Sequence, residues 1–253
     1  MAEEVGKERI HRFKAIILSY FYVVKQHIPN LITSANLFIG SAAILLLFNG
    51  LTKWVLICAA LCLVLDVLDG LVARSLNVSS EMGSQLDSLA DMVSFGVLPS
   101  CILAWLMLDC QDGLPLWAIL AAFLIASATA LRLAKFNLDD RDSAFFYGLP
   151  SPSTGVAIFG LLFIVTSGHQ WAEFLSCNSV FFFGLVVLLP LLMLSNLRLW
   201  SLKGTNRPNG KIILGILLSI FALLVLSTGS AAIFLMVLIY VVFGFINKLV
   251  KVY

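Results

Sequence analysis

The chain has 253 residues, of which 60% are hydrophobic and only 12% charged, with a mean hydropathy of +1.02. A soluble domain carries about 25% charged residues, so this composition excludes a large soluble core and points to an all-α polytopic membrane protein. The net charge of +2 says little by itself; where the cations fall along the chain says more.

Residues 1–28 read as a cytoplasmic juxtamembrane segment, charged at its start and without a signal-peptide cleavage pattern. Within it, 8–27 has the pattern of a basic amphipathic interfacial helix. Arg9, Arg12 and Lys14 alternate with Ile10, Phe13, Ile16, Ile17 and Tyr20, and the apolar run is too short to cross a bilayer. Pro29 breaks the chain, and a first span covers about 30–50. Further spans are expected at about 53–76, 83–108, 114–136, 149–168, 174–198, 211–228 and 230–249, which makes eight. Six of them fall in a core domain, 29–200. Residues 201–253 then form a cytoplasmic loop and a C-terminal two-helix hairpin. The segment 148–155 (G-L-P-S-P-S-T-G) either starts the fifth span irregularly, as backbone lining a cavity does, or is a plain helix start. With the N-terminus in the cytoplasm, fifteen of the sixteen lysines and arginines lie inside and Lys53 alone lies outside. That bias sets the orientation and puts the turn between the second and third spans on the cytoplasmic side.

The five cysteines fall mostly in apolar stretches. Cys58 and Cys62 lack neighbouring histidines and read as small buried hydrophobes; Cys110 and Cys177 leave a disulfide open. His11, His27 and His169 read as surface or interfacial residues.

The densest chemistry lies between Asp66 and Asp91. Asp66 and Asp69 stand at i,i+3, and Asp87 and Asp91 at i,i+4, so on helices each pair shares one face. A helical hairpin lets the two pairs converge. Carboxylates at membrane depth persist only when paired, hydrated or bound to a cation. Four of them in one pocket repel one another unless a divalent cation neutralises them, and all-oxygen ligation suits a hard cation such as Mg²⁺, Mn²⁺ or Ca²⁺.

Spelled out, the pattern is D-x2-D-G-x2-A-R-x8-G-x3-D-x3-D, met at Asp66, Asp69, Gly70, Ala73, Arg74, Gly83, Asp87 and Asp91. It resembles the signature of the CDP-alcohol phosphatidyltransferase family, integral membrane enzymes that make phospholipid headgroups. Pro29-Asn30-x-x-Thr33 is similar to the family's nucleotide-contacting P-N-x-x-T element. The resemblance implies that Asp66, Asp69, Asp87 and Asp91 hold two divalent cations per site, Mg²⁺ or Mn²⁺ with Ca²⁺ also suited. It implies that Asn30, Thr33, Asp66, Gly70, Ala73, Arg74 and Gly83 contact the nucleotide of CDP-diacylglycerol. Asp91 is then the general base, and an alcohol displaces CMP in one in-line step. It further implies a homodimer; a bacterial cytoplasmic membrane is the expected location, the cation bias puts both termini and the active site on the cytoplasmic side, and no nucleic-acid partner is expected. Spans seven and eight go beyond the family's usual six-helix core.

The signature fixes the donor better than the acceptor. R-L-A-K-F-N at 132–137 and G-L-P-S-P at 148–152 resemble segments of phosphatidylserine synthases, which implies L-serine as acceptor. Arg132 and Lys135 would meet the serine carboxylate, and Asn137 or Asp139 its ammonium. The same cations equally suit a lipid phosphate or a helix-end anchor, and Lys135 lacks the bidentate fork of the commoner arginine. Glycerol 3-phosphate or inositol phosphate are the alternative acceptors. A cation transporter is the alternative of another class; it would be expected to show an internal repeat and charges near mid-membrane, and neither is seen.

Overall fold

The computed structural model describes residues 25, 27–78, 80–109, 113–138, 145–168, 172, 178–195, 198–200, 232, 234–235 and 239. Six helices and one short ribbon account for most of them. Helix α1 is His27–Phe48, α2 Thr52–Ser75, α3 Glu81–Leu108 and α4 Leu116–Asn137. Strand β1 is Phe145–Tyr147, α5 is Ser151–Thr166, α6 is Ser179–Leu194 and β2 is Arg198–Trp200.

The first four helices are 22, 24, 28 and 22 residues long and apolar. At 1.5 Å per residue even 22 residues reach about 33 Å, enough to cross a hydrocarbon core of about 30 Å. Their outer faces are apolar too. On α2, Trp54, Ile57, Leu61, Val64, Leu68 and Leu71 are exposed at alternating three- and four-residue spacing. This is a lipid-facing stripe, the inverse of a soluble helix. The expected fifth and sixth spans are 16-residue helices, or about 24 Å. Asn178, whose side chain accepts from the Phe181 N–H, starts α6 four residues later than the apolar run begins. Prolines 150 and 152 make a plain helix start at α5, with Pro152 in the first turn where its missing N–H costs nothing.

The turns follow from local chemistry. After α1, Gly50 takes φ +69°. The Gly50 and Leu51 N–H groups close back on the Leu47 and Leu46 carbonyls, a Schellman ending. After α2, Asn77 does the same at φ 52°, with the Asn77 and Val78 N–H groups on Arg74 and Ala73. Ser80 then caps α3, its hydroxyl accepting from the Gly83 N–H at 2.9 Å. The result is a tight α2–α3 hairpin with both aspartate pairs near its closed end.

Helix α3 is the axis of the bundle: 72% of its most apolar stretch is buried, against 28% in α1 and 22% in α2. Phe95, Leu98, Ile102, Leu103 and Met107 on it are fully buried. It packs against α4 and α5, and α4 against α6. It is not a uniform α-helix. Met92–Val97 form a π turn directly after Asp91.

Two features depart from the all-α reading or lie beyond it. The loop expected at 137–148 contains β1, which pairs antiparallel with β2 in the register Phe145 to Trp200 and Tyr147 to Arg198. The ribbon ties the start of α5 to the end of α6. Beside it the Leu149 N–H donates to the Leu192 carbonyl. The amphipathic segment 8–27, apart from Lys25 and His27, and the span 211–228 lie outside the described residues. In 230–249 only residues 232, 234, 235 and 239 are described, all helical, with Phe234 packed edge-on against Phe181 of α6. Cys58, Cys62 and Cys101 are free; Cys110 and Cys177 are outside the described residues.

Candidate active site

Helix α2 brings Asp66 and Asp69 to the face that meets α3, and α3 brings Asp87 and Asp91. One carboxylate oxygen from each of Asp66, Asp69 and Asp87 lies within 4.8 Å of the other two. Asp91 adjoins Asp66 one layer deeper, 9% exposed, and its Oδ1 is buried with no hydrogen-bond partner. Helix α1 supplies the remaining support: the Thr33 hydroxyl donates to Asp69 Oδ2 at 2.8 Å and lies 3.0 Å from the Pro29 carbonyl.

No lysine or arginine among the described residues pairs with any of the four carboxylates. Arg74 is exposed and folds back along its own helix, its guanidinium nitrogens 3.8 Å from where a Cβ on Gly70 would stand. A clustered set of hard oxygen donors, unpaired and with one buried orphan oxygen, fits a divalent cation. Nothing in the cluster offers the soft or imidazole ligands that favour zinc.

A cavity of about 240 Å³ opens beside the cluster. Asp69 and Asp87 form part of its wall. Pro29, Asn30 and Thr33 come from α1, Gly70 and Ala73 from α2, and Val78, Ser80, Gly83 and Ser84 from the hairpin turn and the first turn of α3. Five of the seven residues expected at the nucleotide thus line one cavity; Asp66 stands in the adjoining cluster and Arg74 beyond the rim. Gly83 is needed as glycine. A Cβ there would stand 2.9 Å from both Asn30 Oδ1 and Ser80 Oγ, so a side chain would push the α1 amide off its place.

The three residues expected at the acceptor are not gathered at one point. Arg132 is half-buried and donates to Ser151 Oγ at 3.2 Å, at the start of α5. Asn137 is exposed and its Nδ2 donates to Ser88 Oγ at 3.0 Å, which ties the end of α4 to the residue after Asp87. Lys135 is exposed. Asp139 lies outside the described residues.

Sequence reasoning missed the polar layer beneath the carboxylates. Asn36 and Ser94 are both fully buried, and Ser94 Oγ donates to Asn36 Oδ1 at 2.8 Å. A signal was there, since an asparagine inside an apolar span is itself a candidate functional residue. Ser80, Ser84 and Val78 were missed for another reason: only the fold of the hairpin turn brings them to the cavity.

Four apolar helices long enough to cross a membrane, with an acidic cluster beside a cavity, make up the site. The CDP-alcohol phosphatidyltransferase model matches residues 26–200, and the chain belongs to that family. Among similar proteins is a CDP-diacylglycerol–serine O-phosphatidyltransferase of Helicobacter pylori strain J99, 34% identical over 87% of this chain and 90% of the relative. Proteins of the same name from Methanocaldococcus jannaschii and Bacillus subtilis are 32% and 38% identical. The first match covers 87% of this chain and 93% of the relative, the second 54% and 76%.

Proposed function

We propose that the protein transfers a phosphatidyl group from CDP-diacylglycerol to the hydroxyl of L-serine, giving phosphatidylserine and CMP. The observation that carries this reading is the cluster of Asp66, Asp69 and Asp87, within 4.8 Å of one another and with no lysine or arginine partner among the described residues, beside a cavity that Asn30, Thr33, Gly70, Ala73 and Gly83 line. Family membership supports the CDP-activated donor, and the names of the relatives support serine over other alcohols.

Each residue has a part in this reading. Gly70, Ala73 and Gly83 leave bare backbone against which the cytidine lies, and Asn30 offers its amide to the nucleotide. Arg74 swings from the rim to a phosphate. Asp66, Asp69, Asp87 and Asp91 hold two divalent cations, Mg²⁺ or Mn²⁺, and Thr33 keeps Asp69 turned toward them. Bound there, the cations supply charge neutralisation for the diphosphate and for the departing CMP. Asp91 takes the serine hydroxyl proton on its unpartnered Oδ1. The serine oxygen bonds to the lipid-side phosphorus as the bond from that phosphorus to the bridging oxygen breaks, and the electron pair leaves with CMP. Arg132, Lys135 and Asn137 meet the serine headgroup or the lipid phosphate. Residues 29–200 are the catalytic core, 1–28 lie along the membrane surface, and 201–253 add a loop and hairpin. The cavity opens to the cytoplasm, and two copies form the working unit.

The test is a headgroup assay on the full chain in detergent. CDP-diacylglycerol and Mn²⁺ are supplied with L-serine, glycerol 3-phosphate or inositol phosphate in separate reactions, and CMP and the lipid product are measured. Turnover with serine alone is expected. Turnover only with another alcohol removes the serine assignment and leaves the donor site standing; no CMP with any acceptor removes the reaction.

A further inference from the structure

We propose that Asn36 and Ser94 are positioning residues for Asp91, acting through the π turn of α3; this rests on the reading of Asp91 as the general base.

The placement follows helical arithmetic. Asn36 stands three residues after Thr33 on α1, Cys62 four before Asp66 on α2, and Ser94 three after Asp91 on α3. The three therefore form the layer next below the carboxylates. They touch: Ser94 Oγ donates to Asn36 Oδ1 at 2.8 Å, and the Cys62 thiol points at the Asn36 carbonyl at 3.7 Å. Asn36 Nδ2 is buried without a hydrogen-bond partner. An apolar side chain would avoid that penalty, so what the amide contributes is the acceptor for Ser94.

The turn that carries Ser94 sets the phase of α3. The π register is seen in the Leu98 N–H, which donates to the Val93 carbonyl five residues back. A π turn holds one residue more than an α turn. Collapse to plain α geometry would rotate the acidic end of α3 against its buried half by roughly 100°, and Asp87 and Asp91 would leave the face that meets Asp66. Three successive residues of the turn are each gripped at close range by a different helix. Ser94 Oγ is 2.5 Å from a Cβ placed on Gly40 of α1. Phe95 is 3.1 Å from a Cβ placed on Gly155 of α5, and a Cβ placed on Gly96 would stand 3.1 Å from Thr129 of α4. Of the three residues only Ser94 also makes a side-chain hydrogen bond to a neighbouring helix, to Asn36 of α1, and a hydrogen bond fixes direction as well as distance.

The experiment compares Asn36→Ala, Ser94→Ala, the double variant, and Ser94→Ala in an Asp91→Asn background, each purified in detergent and checked for folding by thermal melt. With Mn²⁺, CDP-diacylglycerol and serine, each single variant is expected to lose about tenfold or more in kcat, with KM for CDP-diacylglycerol within about twofold of the parent. The double variant should be no worse than the singles, and Ser94→Ala should cost nothing further once Asp91 is gone. In metal-free protein, amide hydrogen exchange across 92–97 should rise in both singles while that of α2 stays put. Parental kcat in a folded single variant, losses that merely follow the folded fraction, unaltered exchange across 92–97, or an added loss in the Asp91→Asn background would each overturn the positioning role. A parent protein that releases no CMP would remove the Asp91 reading, and this inference with it, before any substitution is made.

Discussion

At the scale of single residues, Asp91 and Thr33 test the roles proposed for the acidic cluster. Asp91 is buried and keeps one oxygen without a hydrogen bond, which suits the general-base role proposed for it. Asp91→Asn keeps the shape and removes the base. CMP release should fall by about 10²–10⁴-fold, the range general base catalysis supplies, with little change in KM for CDP-diacylglycerol. A rate within a fewfold of the parent would move the base elsewhere. Thr33 acts on Asp69 from outside the cluster through its 2.8 Å hydrogen bond. Thr33→Val keeps the volume and loses the donor. Such supporting contacts are worth about 10–100-fold in metal affinity, so the Mn²⁺ concentration at half-maximal rate should rise by that order, while the rate at saturating Mn²⁺ stays close to the parent. A Mn²⁺ titration that overlays the parent curve would show that Asp69 needs no such support.

At the scale of elements, the meeting of α1 and α3 depends on Gly40. A Cβ there would stand 2.5 Å from Ser94 Oγ and 3.3 Å from its Cα, and both residues are buried, so the Ser94 hydroxyl must turn away and the helices shift slightly. Gly40→Ala should destabilise by about 1–3 kcal/mol, the usual cost of overpacking, read as a lower melting temperature. Gly184→Ala on exposed α6 surface, with nothing within 4 Å, is the control and should not lower the melt; relief of a mid-helix glycine raises stability by about 0.5–1 kcal/mol. How far such contacts were legible in the sequence differs by element. The i,i+3 and i,i+4 aspartate pairs and the helical hairpin that joins them could be read directly, because both rest on local periodicity. So could the starts and ends of the first four long helices, to within three residues. The π turn could not: M-V-S-F-G-V has no proline or charge to mark it, and its neighbours Asn36, Gly40, Gly155 and Thr129 come from three other helices. Nor could the ribbon, whose two strands of three residues lie about fifty residues apart and are too short to show a strand period. Arg132 carried a readable charge, but its partner Ser151 came into view only once α4 and α5 were packed.

At the scale of the whole molecule, the position of the cavity relative to the membrane decides whether the proposed donor chemistry is open to it. The turn at 49–51 joins α1 to α2 and the turn at 76–80 joins α2 to α3. Each helix is long enough to cross, so the two turns lie on opposite membrane faces. The cavity is built at the second turn, from Val78, Ser80, Gly83 and Ser84. In the eight-span layout expected from the sequence with a cytoplasmic N-terminus, fifteen of the sixteen lysines and arginines fall on the side of that turn, and such an excess supports the proposed cytoplasmic face. The proposed reaction releases a soluble nucleotide, CMP, and the orientation proposed for it puts the cavity on the cytoplasmic face. Single cysteines test it in a version lacking the five native ones. Asn49 and Ser75 are both exposed and near helix ends, and neither takes a left-handed backbone. In intact cells a membrane-impermeant thiol reagent should label Asn49→Cys and spare Ser75→Cys; in inverted vesicles the pattern should reverse. Labelling of Ser75→Cys from outside would put the aspartate cluster on the face away from the cytoplasmic nucleotide pool. The acidic site would then need another occupant, however well its carboxylates fit a divalent cation.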